Sequence, residues 1–399
     1  MLIPKYWAQH KQRFESLETS SNPSKQATIK RYGWSDVSQS EALFHAKWRV
    51  SEAHKRWLAG EDILRRERRE EYNEGNGIPI REEIISEHDF PENKLSNNSA
   101  AVTKLIVTRN SYGAQVANVD NIAIIDVDND DLLHQKYPYD YNHHGFMPAF
   151  LINQSNPTTK IKVWAFVIVF ILIASVIAWL GLSWLWLLAV MIGATAYLWQ
   201  QASVKDKARA QKYADDAASL LPYMTDLIKK RIANHPTESF RLYQTPAGFR
   251  IIATHDVVLP SNRLVAEWFA YFHADTNYVR LCQVQQCFRA RITAKPWRLS
   301  EVENNKLAKD IPAKDFWFGS ESTDAESGIE QHQDALKARK QWMADYDKYA
   351  KNYRACHYVE SMVGKEVARE SGSGAPSHID EFIQWHDRAC QVNKALPMA

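Results

Sequence analysis

Two carboxylates one residue apart close the apolar run NIAIIDVD, residues 121–128. Strand periodicity sends Asp126 and Asp128 to one face, roughly 7 Å apart at their Cα atoms, and turns Val127 to the core. Carboxylates held this way repel each other unless a cation lies between them. Magnesium or manganese is the natural cation, because both favour hard oxygen ligands and phosphate oxygens. The plainer alternative is a strand that ends in an acidic loop, since Asp130 and Asp131 follow at once.

Other residues extend the first option. Thr245-Pro246-Ala247-Gly248 has the composition of a hairpin turn, in which proline fixes φ and glycine permits a positive φ. The Thr245 hydroxyl and the backbone N–H groups around Gly248 offer a seat for an anion, and Arg250 follows two residues later. Arg280, Arg289, Arg291, Lys295 and Arg298 crowd the next segments. Arginine forks match phosphate oxygens two at a time, so this group suits a phosphate clamp. Facing a metal pair, such a clamp is what phosphoryl or nucleotidyl transfer requires. Plain ion pairs between these arginines and neighbouring acids are the alternative.

The four cysteines are too few for a disulfide framework. Cys282 and Cys287 could share a zinc ion with Cys356 and His357, but packed thiols are the simpler reading, because structural zinc sites commonly have tighter cysteine spacing. Cys390 reads as a residue on a helix face. His143 and His144 lie in a tyrosine-rich loop. No Walker loop, nucleophile elbow or dinucleotide fingerprint is present. The net charge of +2 on 399 residues argues neither for nor against nucleic acid.

The elements that must position these residues suggest an α+β domain split by an insertion. Residues 1–72 predict a strand pair and a helix, with Ser38 and Glu41 as its capping box. Residues 78–160 predict the first part of the domain, with a loop and short helix over 78–92 and strands at 101–109 and 121–128. Residues 205–325 predict the second part: a helix, the hairpin around Gly248, a helix over 263–273 and a strand–turn–strand over 278–293. Residues 326–399 predict helices over 331–360 and 378–393. The N-terminal residues show no signal peptide.

Between the two parts, residues 163–204 carry no charge. Helices over 163–180 and 182–201 would each match the hydrocarbon core at roughly 27–30 Å. Trp164, Trp179, Trp184, Trp186 and Trp199 fall near the expected interfaces, and Lys160, Lys162, Lys205, Lys207 and Arg209 flank the pair. The fold expected is therefore a split cytosolic α+β domain interrupted by a two-helix transmembrane hairpin. It would sit in the bacterial inner (plasma) membrane as a multi-pass protein, with the lipid bilayer as a partner and both termini cytoplasmic.

The D-x-D strand, the Thr245–Gly248 turn and the basic segment after it resemble the catalytic core of archaeo-eukaryotic primase–polymerases. That resemblance implies catalytic roles for Asp126, Asp128 and Arg250, with Arg250 standing where the family carries histidine. It implies phosphate contacts for Thr245, Gly248, Arg280, Arg289 and Arg291, and a metal site of Asp126, Asp128 and Asp275. Nucleotide or nucleic acid would be the partner. The chain also resembles, through RYGWSD, VTRNSYGA, YQTPAGFR and CFRARITAKPWR, a family of uncharacterised bacterial membrane proteins, which implies no established activity. The alternative function is a non-enzymatic, membrane-associated interaction or structural protein.

Overall fold

The structure, a computed structural model, describes residues 1–15, 26–62, 78–91, 102–138, 181, 184–299, 306–309, 326–370 and 378–399. These fall into two compact units, Met1–Asp128 with Thr225–Ala399, and Asn129–Met224.

The first unit contains three antiparallel sheets. One pairs β1 (Tyr6–Glu15) with β2 (Gln26–Ser35). On it lies α1 (Gln39–Leu58), capped by the Ser38 hydroxyl, which accepts from the Glu41 amide. A second sheet has the order β3 (Glu83–Pro91), β4 (Val102–Arg109), β5 (Gln115–Val119) and β9 (Phe288–Arg291). The third has the order β10 (His357–Val363), β7 (Ser239–Thr245), β8 (Gly248–Ala253) and β6 (Ile124–Asp128).

In the second unit, α2 (Asn129–Lys136) and α3 (Trp184–Ala218) are helical, and Lys136 Nζ donates to the Ser219 carbonyl. Helix α4 (Leu220–Asn234) begins in this unit and continues into the first. The remaining helices are α5 (Arg263–Tyr271), α6 (Thr276–Gln285), α7 (Lys306–Lys309), α8 (Glu326–Ala350), α9 (Lys365–Glu370) and α10 (His378–Ala389).

The third sheet positions the functional residues. Strand β8 is buried along its whole length, as the run GFRIIA suggests for every residue except Arg250. Phe240 meets Trp268 and Phe272 edge-to-face at 5.6 and 5.3 Å, which anchors α5 on this sheet. Full burial of side chains this size contributes about 1.5–3 kcal/mol each. Beneath them Glu238 accepts from Arg231 at 2.8 and 2.6 Å and from the Trp268 indole at 3.1 Å.

Several expectations are corrected. Among the described residues no helix is long and apolar enough to cross a membrane. Helix α3 includes most of the second expected span, but Gly193, Thr195, Tyr197, Gln200 and Gln201 dilute its apolar character. The same helix then continues through Lys205, Asp206 and Lys207. The first expected span, 163–180, lies outside the described residues. The transmembrane hairpin, the multi-pass inner-membrane placement and the bilayer as a partner all needed two such helices, and they are withdrawn. What stands is a mixed α+β arrangement with open sheets.

Residues 276–285 are helical rather than extended, because Asp275 caps them by accepting from the Tyr278 amide at 2.6 Å. Residues 83–91 form a strand rather than a helix, held by β4. The helix expected over 331–360 stops at Ala350, and β10 follows it on the edge of the third sheet.

Candidate metal centre

Helix α10 carries Ile379, Phe382, Ile383 and His386 on its buried face, spaced for one stripe of a helix. Cys390 continues that stripe one turn on, and its amide donates to the His386 carbonyl at 2.8 Å. Opposite, the chain enters β10 through Cys356. The Ala355 amide donates to the Cys390 carbonyl at 3.0 Å, which seats Cys356 beside Cys390. The donor atoms of Cys356, His386 and Cys390 all lie within 4.8 Å of one another, and these three residues could coordinate a metal ion. His386 Nε2 lies 3.4 Å from Cys390 Sγ, and all three residues are 0% exposed.

The sheet below the centre supplies a row of polar side chains. Arg250 pairs in register with Asp126 on β6 and with Tyr243 on β7. Its guanidinium Nη1 donates to His386 Nε2 at 3.2 Å and to the Arg291 carbonyl at 3.1 Å, and it approaches Cys390 Sγ at 3.9 Å. Its Nε donates to Asp126 Oδ1 at 3.4 Å. Tyr243 packs edge-on against the His386 ring at 4.8 Å. On the far side of the ring, Nδ1 donates to Asp387 Oδ1 at 3.2 Å. Asp387 also accepts from Tyr243 at 2.7 Å and from Arg241 at 2.6 Å.

This surrounding sets the charges. Burial works against the Arg250 charge, but Asp126 and then Cys356 outweigh it and hold the guanidinium protonated. The hydrogen bond with Cys390 holds the Cys356 thiol well below the usual thiol range, helped by His386 and Arg250 against burial. Burial, then Cys356, pushes the Cys390 thiol well up. For His386, burial lowers the pKa while Asp387 and Cys356 raise it, with a net rise. The Arg250 contact opposes that rise, because a guanidinium N–H can donate to Nε2 only when Nε2 bears no proton. The contact decides the tautomer here. With Nε2 accepting from Arg250, the ring proton is assigned to Nδ1, where it faces Asp387.

The structure brings some of the expected site residues together. Asp126 and Asp128 end β6 opposite Arg250 and Gly248, and Thr245 pairs with Gly248 across the hairpin. The Asp275 amide donates to the Asp126 carbonyl at 3.1 Å, while the Asp275 carboxylate caps α6. Gly248 is not among the positive-φ glycines. It is needed because a Cβ there would collide with the Val127 carbonyl oxygen of β6. The other arginines separate. Arg280 is exposed on α6, and Arg289 pairs with Glu82 at 2.6 Å. Arg291 ends β9, with its carbonyl on Arg250. Cys282 and Cys287 are buried thiols pushed up to about 12 by burial, and they lie outside the three-donor group.

His386 and Cys390 are the functional residues that sequence reading missed. Their signal is the four-residue spacing of a histidine and a cysteine on an otherwise apolar helix face. Comparison with protein-family models, with curated proteins and with solved structures finds no match. The likenesses to primase–polymerases and to a bacterial membrane-protein family are therefore withdrawn. With them goes the metal-dependent nucleotide or nucleic-acid site of a membrane protein. Among the described residues, the group that could hold a metal ion consists of two thiols and an imidazole.

Proposed function

We propose that the protein is a structural metal-binding protein in which Cys356, His386 and Cys390 hold a thiophilic divalent ion, zinc, and so fasten α10 to the third sheet. The observation that carries this is the convergence of the three donors within 4.8 Å in a fully buried place. Zinc binds sulfur at about 2.3 Å and nitrogen at about 2.0–2.1 Å, so tetrahedral donors lie about 3.5–3.8 Å apart. The 3.4 Å between His386 and Cys390 is close to that. Asp387 orients the ring as the carboxylate of a carboxylate–histidine–metal relay does.

The choice of ion follows from the donors. Thiolate and imidazole select zinc, whereas magnesium and manganese prefer oxygen. Two thiolates cancel a divalent charge, and Asp126 cancels Arg250. Three protein donors leave one position of a tetrahedron for a further donor. A surface cavity of about 550 Å³ is lined by Asp387, Arg388 and Gln391, but not by the three donors. The full burial of all three donors suits a structural role.

The test is metal analysis and melting of the full chain purified under reducing conditions. About one zinc per chain is expected, a strong chelator lowers the Tm, and Cys356→Ser or Cys390→Ser releases the metal. A chain that holds no zinc, and whose melting ignores micromolar zinc after full reduction, refutes the proposal.

A further inference from the structure

A second place in the fold gathers charge without resolving it. Arg291 ends β9, Lys295 follows, and Arg298 closes the 3-10 turn Pro296–Arg298. All three are only part-exposed. Arg291 Nε and Arg298 Nη1 are shut off from solvent, and neither has a hydrogen-bond partner among the described residues. Buried N–H groups of this kind are rare, because each unmet donor costs about 1–3 kcal/mol.

The three cations also press on one another. Burial, then Arg291 and Arg298, hold Lys295 below the usual lysine range. Burial and Arg291 do the same to Arg298. Asp126 and Asp128 offset this only in part, and Asp126 is already engaged by Arg250. With Asp126 engaged by Arg250, Asp128 is left to offset Arg291, Lys295 and Arg298, a net of +2. One wall of the cluster is aromatic, with Tyr112 and Trp297 at 5.0 Å and the Lys295 ammonium 5.5 Å from the Trp297 ring.

We propose that Arg291, Lys295 and Arg298 form a binding site for a tetrahedral dianion: phosphate, free or as a monoester. A charge of −2 balances the cluster, and phosphate oxygens satisfy the orphaned guanidinium donors in the paired geometry arginine favours. No metal takes part, but Arg250 links the two places through the Arg291 carbonyl and His386, so metal content is held constant in the test.

The experiment uses the full chain with its metal content held constant. Melting and calorimetric titration are run with inorganic phosphate, sulfate and β-glycerophosphate, against chloride at matched ionic strength. Phosphate should raise the Tm saturably. Lys295→Gln with Arg298→Gln should weaken phosphate at least tenfold. The same double variant should melt no lower than the parent in chloride, because it relieves repulsion. Arg280→Gln, on the exposed face of α6, should leave phosphate affinity unchanged. Binding of the monoester within a few-fold of phosphate assigns the site to phosphorylated ligands, and binding of phosphate alone assigns it to the free ion. Either result supports the site. Equal Tm shifts with phosphate and chloride, or full phosphate affinity in the double variant, overturn it. So does a double variant that melts lower in chloride when the parent shows no response to phosphate.

Discussion

Asp387→Asn is the sharpest probe of the zinc centre, because it changes the ring's orientation without touching a donor atom. The amide keeps the carboxylate's shape but loses its charge. Its NH2 group, turned toward Nδ1, would favour the tautomer with the proton on Nε2. Losing an outer partner of a metal-bound histidine typically costs 10–100-fold in affinity, or about 1.4–2.7 kcal/mol. Asp387 also holds Arg241 at 2.6 Å, in a pair whose side chains are 24% and 12% exposed. Losing that charge-assisted bond costs about 1.5–3 kcal/mol of stability whether or not metal is bound. Arg241→Gln separates the two effects, since it breaks the same pair and leaves Asp387 on the ring. Competition with a chromophoric chelator should show zinc weakened 10–100-fold in Asp387→Asn and within about threefold of the parent in Arg241→Gln. Equal zinc affinity in the parent and Asp387→Asn would sink the reasoning, because the ring would then be held by something other than the carboxylate.

Three further outcomes test the frame around the centre. Gly248→Ala should destabilise the chain by about 1–3 kcal/mol or more in denaturant melts, because the new methyl must push β6 away from β8. In the Glu238–Arg231 pair, Arg231 and Trp268 lower the carboxyl pKa more than burial raises it. The pair's stabilisation is therefore present above the unfolded carboxylate pKa and lost as pH falls through the lower folded value. Glu238→Gln should cost about 3–5 kcal/mol at pH 7, and a pH series of melts should show the parent's advantage shrinking in acid. Asp275→Ala should cost about 1 kcal/mol, read by chemical denaturation, through loss of the cap on α6.

Some of this architecture was legible in the residues. The apolar run before Asp126 and the turn at Thr245–Gly248 were enough to place β6 and the β7–β8 hairpin. They could not say that Arg250 would lie in register with Asp126, because register between distant strands is a tertiary fact. The grouping of Cys356 with His386 and Cys390 is hidden for another reason. The polar helix before Cys356 has no strong stop signal, so β10 was read as more helix, and its cysteine was separated from the last helix. The α6 segment YVRLCQVQ alternates like a strand, and only the cap at Asp275 tips it to helix. The apolar run after Trp184 suggests a span because 163–204 carries no charge, but the helix that contains it ends its apolar part at Gln200–Gln201 and runs on through charged residues to Ala218.

The third sheet also has a bearing on how the chain reaches its folded state. Ile124 on β6 hydrogen-bonds to no strand until Ile252 of β8 is made, and β10 joins the other edge only after residue 357. During synthesis, at about 5–20 residues per second, β6 waits several seconds as an apolar segment with unmet amide and carbonyl groups. Pairings this far apart in sequence also slow refolding. The three donors emerge after β6, β7 and β8, so during synthesis no ion held by them seeds the pairing of those strands. The ion's place is to lock strands already paired, and until β8 is made the β6 segment carries apolar side chains and unpaired backbone groups.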